Sequence, residues 1–167
     1  LLLFLLEKDF EKPIKIKTVN IRKNDLQTFD FNYKEEVASE YSKPLSYLYE
    51  PNSAILKSGG FHQVSQQLNV FKLHQHSHLY TSDKLIDFPG RVFKIVNVIP
   101  YNKKKIKSFL QNNKANITIR NFPKTVEQIR KETKIKDGGN SYLFFTTLSN
   151  KQFTVIFCKK YINDISI

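Results

Sequence analysis

The stretch Arg91-Val-Phe-Lys-Ile-Val-Asn-Val-Ile-Pro100 opens the segment whose pattern determines the fold. Valine, isoleucine and phenylalanine favour strands and proline cannot continue the hydrogen-bond ladder, so we predict a strand that ends at the proline. Residues 102–111 follow, with lysines and apolar residues at helical spacing. This spacing predicts a helix in which Ile106, Phe109 and Leu110 face inward.

The rest of this segment continues the same order. Residues 115–120 alternate isoleucine with polar residues, which predicts a second strand. Thr125 followed by Gln128 has the spacing of a capping box and predicts the start of a second helix. Residues 142–148 and 153–160 are apolar and predict two strands joined as a hairpin. The predicted order is therefore β-α-β-α-β-β, an α+β arrangement.

The first part of the chain has a less regular pattern. Alternation at period two predicts strands over residues 14–21 and 29–33. The turn Asp87-Phe-Pro-Gly90 separates this part from the regular segment. The sequence therefore predicts an α+β protein of two small subdomains, with residues 1–87 forming the first and residues 88–162 the second.

The sequence from Tyr47 to Asn52 predicts the opening of a helical region. Asn52 or Ser53 can cap a helix, because the side chain of either residue can accept hydrogen bonds from the first free backbone N–H groups. We expect the apolar face of this region to carry Ile55, Leu56 and Phe61.

Composition allows a globular core and bounds the class of protein. The chain has 167 residues, of which 40% are hydrophobic and 25% charged. Its longest apolar run, residues 1–6, is far shorter than the roughly 20 residues that span a bilayer, and we expect no membrane partner. The single cysteine, Cys158, lies in an apolar run, so we expect a buried thiol and a cytoplasmic location.

The beginning of the chain suggests a longer parent protein. There is no methionine, and the sequence starts within an apolar run that predicts a strand over residues 1–7. We therefore interpret the chain as the C-terminal piece of a longer protein, with the beginning of its first subdomain missing.

Positive charge is concentrated in the last part of the chain. Residues 1–100 hold 13 basic and 11 acidic side chains, whereas residues 101–167 hold 14 basic and 4 acidic ones. Such asymmetry favours a polyanionic partner, nucleic acid first, although the same charge could form a solvated face. The candidate phosphate-binding residues on the predicted helices and strand end are Lys103, Lys104, Lys105, Lys107, Arg120, Lys124, Arg130, Lys131 and Lys134.

Catalytic and metal-binding patterns are weak. The five glycines do not form a phosphate-binding loop. His74, His76 and His78 would face one side of a strand and could bind zinc, but no fourth ligand lies nearby. Ser77 and Asp83 could complete a hydrolase triad with His78, yet no glycines form a nucleophile elbow. We therefore predict no catalytic, metal or cofactor site in this chain.

Several motifs resemble the C-terminal region of bacterial class I S-adenosylmethionine-dependent methyltransferases. They are Tyr49-Glu-Pro-Asn-Ser-Ala-Ile-Leu-Lys57, Leu73-His-x-x-Ser-His-Leu-Tyr-Thr-Ser-Asp83, Phe88-Pro-Gly-Arg91, Ala115-Asn-Ile-Thr-Ile-Arg-Asn-Phe-Pro123 and Lys136-Asp-Gly-Gly139. The resemblance implies a ferredoxin-like domain followed by a THUMP-like domain, and a role in RNA modification. It also implies that S-adenosylmethionine binds to an upstream catalytic domain, so no catalytic residue can be transferred to this chain.

Together these observations favour an accessory module that binds tRNA or rRNA and positions it for the upstream methyltransferase domain. The alternative is a protein-interaction or structural module with a solvated basic face. A metal-dependent enzyme is a third and weaker hypothesis, which depends on the three histidines of residues 74–78.

Overall fold

The computed structural model describes residues 2–3, 14–23, 25–110 and 112–162. Within these ranges the strands are β1 Leu2–Leu3, β2 Lys15–Arg22, β3 Asp25–Asn32, β4 Tyr47–Pro51, β5 Phe71–Lys72, β6 Tyr80–Ser82, β7 Gly90–Pro100, β8 Asn116–Arg120, β9 Ser141–Thr147 and β10 Phe153–Lys160. The helices are α1 Ser53–Ser58, α2 Phe61–Gln67, α3 Lys103–Ser108 and α4 Val126–Thr133. The strands form a three-stranded sheet of order β1-β2-β3 and a seven-stranded sheet of order β5-β6-β4-β7-β10-β9-β8.

The second part of the chain has the predicted β-α-β-α-β-β order, as β7-α3-β8-α4-β9-β10. Strand β8 pairs with β9 in parallel, and β10 pairs antiparallel with both β7 and β9. The predicted capping box of α4 is confirmed: the Thr125 hydroxyl accepts from the Gln128 amide at 3.3 Å, and the Gln128 side chain accepts from the Thr125 amide at 2.8 Å. The α+β fold class is therefore confirmed.

The large sheet is continuous across the predicted boundary. Strand β4 pairs antiparallel with β7, which places Leu48 opposite Phe93. Both side chains belong to one buried cluster that also contains Phe144 and Ile156. One sheet and one buried cluster therefore cross residues 87–90, so the two predicted subdomains share a sheet.

Strand β7 approaches β4 so closely that only glycine fits at its first position. A Cβ atom on Gly90 would lie 2.9 Å from the Cα atom of Pro51, which is closer than packing allows. The turn predicted at Asp87–Gly90 thus leads directly into a strand pair that joins the two subdomains.

The hairpin of β2 and β3 packs against the first two helices. Its buried residues Ile16, Phe29 and Phe31 share a cluster with Ile55 of α1 and Val64 of α2. The predicted strands near residues 14–21 and 29–33 are thereby confirmed. Of the strand predicted over residues 1–7, only β1 falls within the described residues, where it pairs with β2 at the edge of the small sheet.

Tyr47–Pro51 is a strand, so the predicted opening of a helical region at this position is wrong. Pairing with β6 on one side and β7 on the other satisfies its backbone, and this tertiary pairing outweighs the local signal. Of the two predicted caps, Asn52 is the observed one, because its side chain accepts from the amides of Ala54 and Ile55, each at 3.1 Å. Ile55 is fully buried as expected, whereas Leu56 is half-buried.

Phe109 also differs from the expectation. Helix α3 ends at Ser108, and Phe109 is its C-cap residue. The side chain therefore leaves the buried face that Ile106 and Leu110 occupy, and 48% of it is exposed.

Candidate nucleic-acid interface

Helices α3 and α4 cover the same face of the large sheet and turn their basic residues outward. Ile106 of α3 and Ile129 of α4 are buried in one cluster with Leu143 and Val155 of the sheet, and the two helices pack against each other. Because one face of each helix is fixed in this core, the lysines of the other face are presented to solvent.

Five of the predicted residues have exposed side chains that form no ion pair with the described carboxylates. They are Lys104, Lys105, Lys107, Lys131 and Lys134. Three lie on α3 and two lie on or directly after α4. The two helices thus present a positively charged surface, which we call the lysine surface and define by these five residues.

Glu132 binds two further lysines of the predicted set. Its carboxylate lies 2.9 Å from Nζ of Lys103 and 2.7 Å from Nζ of Lys124, and it accepts from the Tyr101 hydroxyl at 2.9 Å. Hydrogen bonds from Lys124, Lys103 and Tyr101 lower the pKa of the Glu132 carboxyl to about 2. The bond to Glu132 in turn raises the pKa of Lys124. Glu132 therefore offsets part of the charge that these lysines could offer to a phosphate.

Arg130 stabilises the end of α4. Its guanidinium donates to the carbonyl oxygens of Ile135 at 3.1 Å and Ala115 at 3.3 Å, and it also pairs with Asp137. The bond to Ala115 connects the helix to the residue just before β8. Arg130 thus has a structural role that the sequence did not predict.

Among the ion pairs of the described residues, the one that Arg120 forms joins the positions farthest apart in the sequence. Its Nη2 atom lies 2.7 Å from Oε1 of Glu50, whose other carboxylate oxygen accepts from Nε of Arg91 at 2.6 Å. Glu50 itself is only 2% exposed.

This ion pair shows that the large sheet is strongly curved. Arg120 lies on β8 and Glu50 on β4, and these strands are separated by β7, β10 and β9. Four strand spacings in a flat sheet would place them about 19 Å apart, beyond the reach of the two side chains. Arg120 therefore stabilises the curvature that encloses the Phe93 and Phe144 cluster, and we leave it out of the proposed interface.

The three alternating histidines do not lie on a strand, because residues 73–79 form a turn between β5 and β6. His74 contacts the Asn121 side chain, with 3.0 Å between Nδ1 and Nδ2. The His78 ring instead stacks on Phe61, with 3.6 Å between the ring centroids. Within the described ranges no three His, Cys, Asp or Glu side chains are grouped as a metal site would require.

The candidate triad is not assembled either. The Ser77 hydroxyl donates to the His74 carbonyl oxygen at 3.2 Å, and Asp83 accepts from the Ser46 hydroxyl at 3.1 Å. Cys158 is buried as expected, and burial raises the pKa of its thiol. Ser77 and Asp83 therefore form hydrogen bonds within the fold, and Cys158 is part of its core.

The His78 imidazole makes the fold sensitive to acid. Burial lowers the pKa of His78 to about 4, and the nearby charges of Lys72, Arg120, His76 and His62 act in the same direction. The unfolded chain titrates near pH 6.5, so it binds more protons than the folded chain as the pH falls from about 6.5 to about 4. Stability present above pH 6.5 is lost across this window, and we expect urea unfolding between about pH 7 and pH 4.5 to show this loss.

The variant His78→Asn should lose less stability over the same window. Asparagine does not titrate and tolerates the positive φ of 51° at this position. A residual loss is expected because burial also lowers the pKa of His62 and His74. An equal loss in the variant and the wild type would contradict the assignment to His78.

Two stretches of the chain match families of known domains. Residues 47–89 match a ferredoxin-like domain family, and residues 90–160 match a THUMP domain-like family. The predicted domain content is therefore confirmed, with the two matches meeting at the start of β7.

A solved structure extends this comparison. The chain is similar to the crystal structure of a "putative methyltransferase" from Porphyromonas gingivalis W83, with 32% sequence identity and a TM-score of 0.83. The match covers 89% of this chain and 38% of that one, so the chain spans less than half the length of its structural relative. None of the curated proteins compared with the chain matches it.

Among the described residues, no helix has the length and apolar character needed to cross a membrane.

Proposed function

We propose that this chain binds RNA as an accessory part of an S-adenosylmethionine-dependent methyltransferase of the bacterial class I type, acting in the cytoplasm. In this proposal the lysine surface contacts the phosphates of a structured tRNA or rRNA. The observation that carries it is the exposure of five lysines on two packed helices without carboxylate partners among the described residues. The match of residues 90–160 to a THUMP domain-like family supports RNA as the polyanion.

The methyltransferase part of the proposal rests on the Porphyromonas gingivalis structure. Because that chain is much longer than this one, catalysis and cofactor binding would belong to a part of the protein outside these residues. The glycines present agree with this division: Gly59 and Gly60 lie between two helices, Gly90 begins a strand, and Gly138 and Gly139 precede β9. None of them forms the strand-to-helix turn that holds a nucleotide cofactor, so these residues do not fit S-adenosylmethionine.

The role of the lysine surface would be positional. Phosphate contacts fix the register and orientation of a nucleic acid but carry little information about its sequence. Helices α3 and α4 are anchored in the sheet core, so lysines on them present phosphate contacts at fixed positions. An RNA held in this way would be directed towards the catalytic domain, and that domain would supply the chemistry.

Replacing Lys104, Lys105 and Lys107 with alanine should weaken RNA binding and reduce its salt dependence. Each lost phosphate contact removes about 0.7–0.9 from the slope of log K against log salt, so the triple variant should lose up to about 3 units. The fold should change little, because exposed lysines contribute weakly to stability. Filter binding or fluorescence anisotropy with a tRNA, at several salt concentrations, measures both quantities.

The matched control replaces three exposed lysines of the first part of the chain, Lys17, Lys57 and Lys84. Both variants lose the same formal charge, so a general electrostatic effect would change both alike. If the two variants bind with equal affinity and equal salt slope, the lysine surface is solvated and the protein-interaction alternative is favoured.

A further inference from the structure

A cavity of about 410 Å³ lies beside the C-terminal end of α3. It is bordered by the middle of β7, the residues before and at the start of β9, and the later part of β10. Phe109 of the cavity wall directly follows the last residue of α3, and Lys107 of the lysine surface lies two residues before it. The cavity and the lysine surface are therefore connected through the end of one short helix.

A β-bulge builds the apolar floor of the cavity. Strand β10 pairs Phe157 with Asn97 and Cys158 with Ile95, so Val96 has no opposite residue. A bulge redirects the side chain of the extra residue, and Val96 is 60% exposed. Phe109 also lines the cavity, with its ring centroid 5.4 Å from that of Phe157.

The polar rim of the cavity is positively charged. Lys114 and Lys159 line it, and the described residues of the wall include no carboxylate. Asn112 and Asn140 add amide groups that can donate and accept hydrogen bonds.

A larger cavity near the β2–β3 hairpin has a lining of mixed charge. It has a volume of about 610 Å³, and its lining combines the basic side chains of Arg22, Arg91 and Lys160 with the carboxylates of Asp25 and Asp87. Its guanidinium group from Arg22 already donates to the Gly90 carbonyl oxygen at 3.3 Å. The charge of the two cavities therefore distinguishes them more clearly than their size.

We propose that the cavity beside α3 binds an unpaired base of the RNA, stacked on Phe109, with the flanking phosphates on Lys114 and Lys159. This inference rests on the proposed function, because it assigns a single-stranded nucleotide to the same RNA. Proteins that bind single-stranded nucleic acids combine a basic surface with exposed aromatic rings, because every base has a face that can stack on such a ring. The amides of Asn112 and Asn140 lie where they could contact the edge of that base.

The test compares two RNA probes, a 12-nucleotide single strand of mixed sequence and a duplex of the same length. Phe109→Ala should weaken binding of the single strand roughly 5- to 150-fold, because the stacking contact is lost. Binding of the duplex should be unchanged, because its bases are already stacked within the helix. The salt slope should be unchanged for both probes, because no phosphate contact is removed.

Two further variants keep the test decisive. Phe109→Leu retains apolar packing against Phe157 but removes the aromatic face, so it should weaken single-strand binding while thermal unfolding stays close to the wild type. Phe153→Ala removes an equally exposed phenylalanine, 47% accessible and outside the cavity, and should leave both affinities unchanged.

The outcomes separate this inference from the proposed function. If the lysine triple variant weakens both probes but Phe109→Ala and Phe109→Leu weaken neither, RNA binding stands and the base site is wrong. If the Phe109 variants weaken the two probes equally, the ring supports the surface and does not stack on a base. If the wild type binds neither probe, both proposals are wrong.

Discussion

Replacing both Arg91 and Arg120 with alanine should lower the free energy of unfolding by about 3–5 kcal/mol. The two guanidinium groups are the ion-pair partners that the structure gives to Glu50, a carboxylate with 2% of its surface exposed. Removing both would leave the buried carboxylate of Glu50 without a cationic partner. The cost of desolvating this carboxylate would remain, while its attraction to the guanidinium groups would be lost. Urea unfolding followed by circular dichroism measures the difference.

The single variants give the control for this prediction. Arg91→Ala and Arg120→Ala each leave one partner for Glu50, so each should cost about 1.5–3 kcal/mol, the range for hydrogen bonds to charged groups. Arg22→Ala removes an exposed guanidinium that donates to one carbonyl oxygen and should change stability by less than about 0.5 kcal/mol. A double variant that loses less than about 1 kcal/mol would show that water reaches Glu50.

The order of elements in residues 90–160 could be predicted because its signals are local. The Thr125 and Gln128 capping box lies within four residues, and the alternation of β8 lies within five. The pairing of these strands with the first part of the chain depends on distant residues instead: Glu50 and Arg120 are 70 positions apart. No periodicity reports such contacts, so the sequence does not predict that one sheet joins the two subdomains.

The exposure of the lysines was also predictable, but their partners were not. The apolar positions of α3 and α4 define an inner face, so the outer position of Lys104 and Lys131 follows from helical spacing. The carboxylate of Glu132 reaches Lys103 on another helix and Lys124 eight positions away. Only tertiary packing brings these groups together.

The base site was hidden for a related reason. Phe109 fits the inward face of a helix that runs to residue 111, but the observed helix ends at Ser108. Helix ends are the least certain part of any pattern, and one residue beyond the end changes the direction of a side chain. No glycine near Val96 indicates the bulge in the sequence.

Phe144→Ala should cost about 3–5 kcal/mol and should weaken both parts of the chain together. The Phe144 ring is fully buried, and its centroid lies 4.9 Å from that of Phe93 in the cluster that includes Leu48 of β4. Because this cluster lies beneath strands from both family matches, a cavity in it destabilises the whole sheet.

Hydrogen exchange resolves how the loss caused by Phe144→Ala is distributed. If residues 47–160 unfold as one cooperative unit, amides of β4 and of β9 should lose protection by similar free energies. Phe153→Ala, at an exposed site on the neighbouring strand, should leave protection in both strands nearly unchanged. Loss confined to β9 would mean that the ferredoxin-like part is held by its own cluster around Tyr49 and Ile55, and the two parts would then be separate folding units despite their shared sheet.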